Sequence, residues 1–256
     1  VIFLLMTAAY ILTLTVPGGT YARSIHFKKG EVCSELMEEP LDKRHRRTGT
    51  TIRWRPDMEV FTDIAIPYDA FRGVLQQQSV VNAGLKFVLK TENENGKFET
   101  EEFVYENGIS DYIREIANGT ALTEPTHWNL ECSGRDREDK PDYKLKAEIT
   151  FCISPTVNRI EYYHNSSFLE HGGSPDKAVR LGFVYALDKY LKSINAYKKN
   201  ESKIGFADIE DCLILMINSF STQTSYENQT KKAITNAFIQ KALTEFIKTN
   251  LEIYLI

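Results

Sequence analysis

The sequence predicts an α+β fold built in two layers, with helices laid over a sheet. Three observations lead there. Several short stretches alternate apolar and polar residues, most clearly at residues 10–16 and 143–153; two long stretches repeat apolar residues at three- and four-residue spacing; and the two kinds of stretch are interleaved along the chain. The 256 residues allow one large or two ordinary domains, and 42% hydrophobic with 26% charged residues is ordinary for a soluble globular chain. A net charge of −4 leaves no basic footprint for nucleic acid, so any DNA contact is expected to be local or to lie outside this sequence.

Residues 1–16 are almost uncharged and mostly apolar, which raises a membrane segment or export signal as one reading. The stretch has no basic n-region and no initiating Met, and it is shorter than the roughly 18 residues of a span. Residues 10–16 read Tyr-Ile-Leu-Thr-Leu-Thr-Val, Pro17-Gly18-Gly19-Thr20 makes a turn, and residues 21–29 alternate Ile25 and Phe27 with Arg23, His26 and Lys28. A β-hairpin is the better reading. A strand at 51–54, a helix-like stretch at 68–80 and a strand at 85–89 follow. A polar turn at 91–97 then leads back into an alternating strand at 98–105.

Beyond residue 105, where the chain divides, a short amphipathic helix is expected at 109–117 and a strand at 128–132. Residues 134–142 carry seven charges in nine positions, which reads as an exposed hairpin loop or local insertion before the strong strand at 143–153. A helix is expected at 177–199, started by Pro175 and Asp176, with Leu181, Val184, Leu187, Leu191 and Ile194 as its core stripe. Residues 212–217 form a buried strand. The last helix, 233–255, places Phe238, Ala242, Phe246 and Leu251 on one side.

Cys33, Cys132, Cys152 and Cys212 are widely spaced with no Cys-x-x-Cys pair, so neither zinc nor a disulfide framework is expected. Cys152 and Cys212 sit in apolar runs and read as small core residues. Gly172-Gly173 could form a phosphate nest, but without a P-loop lysine or third glycine a structural turn is the simpler role. His171 has no Ser or Cys nucleophile motif beside it and reads as a turn histidine.

Residues 227–236 read Glu-Asn-Gln-Thr-Lys-Lys-Ala-Ile-Thr-Asn, a turn between an apolar run and a helical pattern. Such a turn suits phosphate contact, because free backbone N–H groups and an ammonium can face an anion; the plainer reading is a solvated turn. This run resembles the Gln-Thr-Lys loop of the ATPase region of type IIA DNA topoisomerases, the family that includes the B subunits of DNA gyrase and topoisomerase IV. Thr48-Gly49-Thr50-Thr51-Ile52-Arg53-Trp54-Arg55-Pro56-Asp57 with Glu59-Val60-Phe61 is similar to the Gly-Thr-x-x-x-Phe-x-Pro-Asp run of the same family. Tyr68-Asp69, then Val81-Asn82-Ala83-Gly84-Leu85, resembles the helix and strand entry that follow it. Phe103-Val104-Tyr105-Glu106-Asn107-Gly108-Ile109 resembles the segment that opens the transducer domain. Glu170-His171-Gly172-Gly173 is similar to the family's Glu-Gly-Gly-Thr-His turn, although Ser174-Pro175-Asp176 stands where Thr-His-Glu usually continues.

The resemblance implies that residues 1–105 are the C-terminal part of a GHKL nucleotide-binding α/β sandwich and residues 106–256 a ribosomal protein S5 domain 2-like transducer. It also implies a fragment, since the family's general-base Glu, Mg-binding Asn, adenine-reading Asp and ATP lid lie upstream. The toprim domain and cleavage machinery lie downstream or on a partner. ATP with Mg2+ is then the implied cofactor, with no metal ligand among these residues. Lys231 would meet the γ-phosphate, Gln229 would position it or the attacking water, and Thr50 would sit at the adenine edge, with Lys232 left in solvent. The implied partners are double-stranded DNA, a gyrase A-type subunit and a second copy in ATP-driven dimerisation, in the cytoplasm and away from membranes. Two other classes stay open: a secreted binding module glycosylated at Asn118, Asn165, Asn200 or Asn228, and a GHKL ATPase serving mismatch repair or a chaperone cycle.

Overall fold

The computed structural model describes residues 8–15, 21–41 and 49–256. The chain packs as two compact units, Val1–Tyr68 and Asp69–Ile256. The division expected at residue 105 falls inside the second unit.

In the first unit, β1 (Ala8–Thr15) and β2 (Tyr21–Lys28) form the expected antiparallel pair, with Tyr10 opposite Phe27 and Thr15 opposite Ala22. The turn expected at residues 17–20 lies outside the described residues. Two short strands that the sequence does not announce, β3 (Glu31–Val32) and β4 (Met37–Pro40), both pair with β2. They are too short and too charged to carry an apolar period. β5 (Gly49–Pro56) pairs antiparallel with β1 on its other side and extends the expected 51–54 strand at both ends.

In the second unit a side hairpin, β6 (Phe87–Glu92) and β7 (Phe98–Phe103), follows α1 (Tyr68–Val81). β6 starts two residues later than the expected strand at 85–89. The unit centres on a sheet made of β8 (Thr126–Gly134), β9 (Tyr143–Ile153), β10 (Arg159–His164), β11 (Ser167–Phe168) and β13 (Leu213–Ser221). Their order across the sheet is β11-β10-β13-β9-β8, and all neighbours are antiparallel except β10 and β13. β13 lies at the centre, and Leu213 to Ile217 are fully buried. A strand covered on both faces reads as a continuous apolar run, as this one does. One face packs Leu145, Ile149 and Phe151 of β9, with Leu213, Leu215 and Ile217, against α3 (Ser174–Ser193) and α5 (Ala237–Tyr254). A five-residue helix, α4 (Phe206–Glu210), lies between them in the chain and leads into β13. The other face packs Cys152, Ile214 and Met216 against α1 and α2 (Ile109–Ala117). Helices on both faces make three layers here, against the two that the sequence predicts.

α3 covers residues 174–193 rather than 177–199, and Pro175 lies inside its first turn, where a missing N–H costs nothing. Its buried face is Ala178, Val179, Gly182, Phe183 and Ala186, whereas Leu181 and Ile194 of the expected stripe are each 53% exposed. Small residues form the true face because α3 lies close against α5: a Cβ on Gly182 would come 2.6 Å from Cγ2 of Ile247. The periodicity of the larger residues points one face round from the contact. On α5 the expected Leu251 is buried, and Phe238, Ala242 and Phe246 pack partly buried against the core, but the fully buried residues ahead of Leu251 are Ile239, Leu243 and Ile247, one position further along. α5 begins at Ala237, because Ala233–Ile234 is a two-residue strand, β14. Cys152 is buried as expected, while Cys212 is only half-buried, just before β13, its Sγ donating to Ile209 O at 3.4 Å. β10 has no clear sequence signal because its residues, Arg-Ile-Glu-Tyr-Tyr-His, bury polar groups with their partners rather than an apolar alternation.

Candidate functional site

The segment that joins β13 to α5 holds Gln229, Thr230 and Lys231, and its form follows from how its two limbs are fastened. The outgoing limb is held by His164 at the end of β10. Its Nδ1 meets Ser219 Oγ at 2.8 Å, and its Nε2 meets Ser221 Oγ at 3.0 Å and Thr224 Oγ1 at 2.9 Å. His164 is fully buried, and that burial pushes its pKa down to about 4, so the ring is neutral at ordinary pH. Beside it, Asn165 donates to Ser221 O and to Thr224 Oγ1 and accepts the Ser221 N–H. An Asn side chain committed to three hydrogen bonds is a poor glycan acceptor.

The returning limb is fastened to the turn before α3. β14 pairs in parallel with β12 (Gly172–Gly173), and the His171 N–H donates to Lys232 O at 2.9 Å. Both glycines have positive φ, 62° and 81°. A Cβ on Gly173 would run into the carbonyl oxygen of Ile234, so glycine is needed for close approach. The Gly172 and Gly173 N–H groups are spent on Leu169 O and His171 O, which makes this pair a structural turn rather than a phosphate nest. Ser174 Oγ adds bonds to Ile234 O and Asn236 O.

Between these clamps the loop stands clear. Asn228 Oδ1 accepts the Thr230 N–H at 3.1 Å and its hydroxyl at 2.5 Å, an Asx turn that leads Lys231 into the left-handed region at φ 59°. A non-glycine residue there costs on the order of 1 kcal/mol or more, which the clamped limbs sustain. Gln229 and Lys231 are exposed, and among the described residues the Gln229 side chain has no hydrogen-bond partner. Lys231 Nζ lies 5.3 Å from the ring centroid of Tyr226. Its neighbour differs: Lys232 forms an ion pair with Glu170 rather than standing alone in solvent, and that pairing holds the Glu170 carboxyl below the usual range. Among the described residues, Lys231 is then the cation of this loop without a carboxylate.

Thr50 lies in the first unit, exposed on β5 opposite Leu14 of β1. Gln229 and Lys231 share the loop just described, in the second unit. Among the described residues no group of three or more His, Cys, Asp or Glu side chains is placed to hold a metal ion. None of their helices is long and apolar enough to cross a membrane.

Sequence reasoning missed Asp136. It belongs to the charged loop at 134–142, yet it is half-buried and caps α5: Oδ1 accepts the Phe238 N–H at 2.8 Å and the Tyr143 hydroxyl at 2.9 Å, and Oδ2 accepts from Asn236 Nδ2 at 2.9 Å. A signal exists in Gly134, where a Cβ would run into the Phe238 ring, but a charge run hides one structural carboxylate among six other charges.

A family profile for DNA gyrase B matches residues 108–256. The DNA gyrase B protein of Metamycoplasma arthritidis is 26% identical over 209 residues, covering 81% of this chain and 32% of that protein. Its counterpart in Archaeoglobus fulgidus is 31% identical over 193 residues, covering 75% and 28%. The 43K ATPase domain of Thermus thermophilus gyrase B, solved with an aminocoumarin, superposes with a TM-score of 0.69 at 18% identity, covering 98% of this chain and 64% of that one. The chain thus spans about a third of the length of the curated relatives it matches.

Proposed function

Because the chain belongs to the DNA gyrase B family, we propose that it is the segment of a type II topoisomerase in which the state of a bound nucleotide is converted into domain movement. Lys231 is the residue that reads the terminal phosphate, and Gln229 orients that phosphate or the attacking water. Thr50 supplies a hydroxyl at the adenine edge. The observation that carries the reading is the contrast between the two lysines: Lys232 is bound to Glu170, while Lys231 sits at an exposed, strained turn with no carboxylate of its own among the described residues.

ATP with Mg2+, when bound, supplies the γ-phosphate charge and the free energy of its hydrolysis. This chain's part is to offer a fixed cation. A preorganised ammonium in a closed, dry site stabilises developing charge by about 3 kcal/mol. A differential of that size moves a two-state domain equilibrium by more than a hundredfold. The clamps on the loop limbs matter for this reason, since a tethered lysine that wandered would lose the advantage to entropy. In the whole protein the movement would close a gate on double-stranded DNA through ATP-driven dimerisation, with a gyrase A-type subunit as partner, in the cytoplasm.

The test compares Lys231→Ala with Lys232→Ala in the assembled protein. Lys231→Ala is expected to lower ATP-driven strand passage by more than about tenfold while nucleotide binding falls little. Lys232→Ala should change both only slightly, because an ion pair in solvent is screened and contributes little. Equal effects of the two substitutions would reduce the loop to a generic basic turn.

A further inference from the structure

We propose that Asp136 is a positioning residue for the loop that carries Gln229 and Lys231, acting through Asn236 on Ser225. The proposal rests on the reading of that loop given above and assigns its control to the charged 134–142 segment.

Asn236 is 1% exposed, stands at the start of α5, and is held at both ends of its side chain. Its Nδ2 donates to Asp136 Oδ2 at 2.9 Å and to the Tyr143 hydroxyl at 2.9 Å, while its Oδ1 accepts the Ser225 N–H at 2.8 Å. The orientation is forced. A carboxylate only accepts and a backbone N–H only donates, so the amide nitrogen faces Asp136 and the amide oxygen faces Ser225. Ser225 and Asn236 bracket the loop, and the Thr235 N–H donates to Ser225 O at 2.8 Å across the same neck. Asp136 therefore reaches the loop mouth through a single side chain, and its charge dictates which way round Asn236 sits.

The packing around it excludes an incidental contact. Phe238 fills the space over Gly134, and its ring meets that of Tyr143 edge-on at 5.2 Å. The Asn236 side chain makes no capping bond to its own helix, so the Phe238 N–H depends on Asp136. One carboxylate thus fixes both the first turn of α5 and the closure of the loop ahead of it.

The direction of the hydrogen bonds gives a specific test. Asp136→Asn replaces an acceptor with an amide that is free to donate toward Asn236. Asn236 then faces two demands that it cannot meet at once, and turning its amide round brings a donor against the Ser225 N–H. The reciprocal double variant, Asp136→Asn with Asn236→Asp, restores the bond to Ser225, since the carboxylate introduced at position 236 accepts both from the amide introduced at position 136 and from the Ser225 N–H, while the Tyr143 hydroxyl, with one hydrogen, turns from position 136 to donate to position 236.

Amide exchange of this chain, read by NMR, should show the Ser225 N–H about tenfold faster in Asp136→Asn, the fold-change expected for one lost buried hydrogen bond. Leu215 and Ile217 in β13 should keep their protection, and the double variant should restore Ser225. In the assembled protein, ATP hydrolysis should fall in Asp136→Asn and recover in the double variant. Unchanged Ser225 exchange in Asp136→Asn, or no recovery in the double variant, overturns the proposal. Hydrolysis that responds to Lys231→Ala but ignores Asp136→Asn overturns it too. Hydrolysis indifferent to Lys231→Ala overturns the reading of the lysine and leaves the relay standing.

Discussion

Gly173 lies so close to Ile234 that a methyl group on it would strike the Ile234 carbonyl oxygen and stand 2.8 Å from the Ile234 nitrogen. The contact is backbone against backbone, so neither side can step aside by changing rotamer. Gly173→Ala should therefore destabilise the second unit by about 2 kcal/mol or more, through the clash and the positive φ together. Gly119→Ala is the control: φ is 75° there with nothing within 4 Å, so only the conformational part applies, about 1 kcal/mol. Urea unfolding of the two variants separates the terms, and equal losses would mean that the β12–β14 contact contributes nothing.

His164 predicts a pH dependence. Its folded pKa, pushed by burial to about 4, lies below the ordinary histidine value near 6.5. Between those values the unfolded chain binds the proton and the folded one does not, so stability is full above pH ~6.5 and falls as pH drops toward ~4. The slope from this one group cannot exceed about 1.4 kcal/mol per pH unit. Replacing His164 with Gln should remove that component while lowering stability at pH 7, because hydroxyl contacts of the ring are lost. Urea midpoints of both proteins across this range decide it, and parallel curves would show that His164 takes up its proton equally well in the folded and unfolded chain.

Much of the second unit is legible in the sequence because its signals are local. Residues 109–117 form a helix and 143–153 a strand at the expected boundaries, since each carries its own period and its own stop. The helical faces of α3 and α5 are misread for a reason that no local period contains. Gly182 of α3 lies against Ile247 of α5, with Ala178 and Ala186 buried on the same helix, and a small residue signals closeness only when the opposing helix is known. The Gln229–Lys231 loop is found by its motif, whereas the contacts that shape it reach far along the chain, from His164 to Ser219, 55 residues on, and from Asp136 to Phe238, 102 residues on. Long-range hydrogen bonds leave no periodic trace.

The Gly182 contact gives a prediction in which two effects oppose. Gly→Ala inside a helix stabilises by about 1 kcal/mol through propensity. Here the new methyl would lie 2.6 Å from Ile247 Cγ2 and 2.9 Å from its Cβ, in the centre of the core. Overpacking of that kind costs about 1–3 kcal/mol, so Gly182→Ala should be net destabilising by thermal melting. Ile247→Ala removes Cγ2 but keeps the Cβ at 2.9 Å, so in that background the same glycine substitution should cost clearly less. An equal cost in both backgrounds would mean that the Cγ2 contact is not the source of the loss.

The final prediction concerns the chain by itself. On the reading proposed above, its loop offers a terminal phosphate one cation and one amide, and neither is a base that could take a proton from water. Hydrolysis needs a polarised water as well as a stabilised phosphate, and a lone ammonium supplies only the second. His171, the nearest imidazole in sequence, is exposed, and its backbone is committed to Lys232 O. This chain alone is therefore expected to release phosphate from ATP no faster than a matched blank, with Lys231→Ala indistinguishable from the parent chain. Phosphate release measured at high protein concentration checks it. A rate that is clearly above the blank and disappears in Lys231→Ala would place a complete hydrolytic site within these residues, and the loop would then be a catalytic element rather than a sensor.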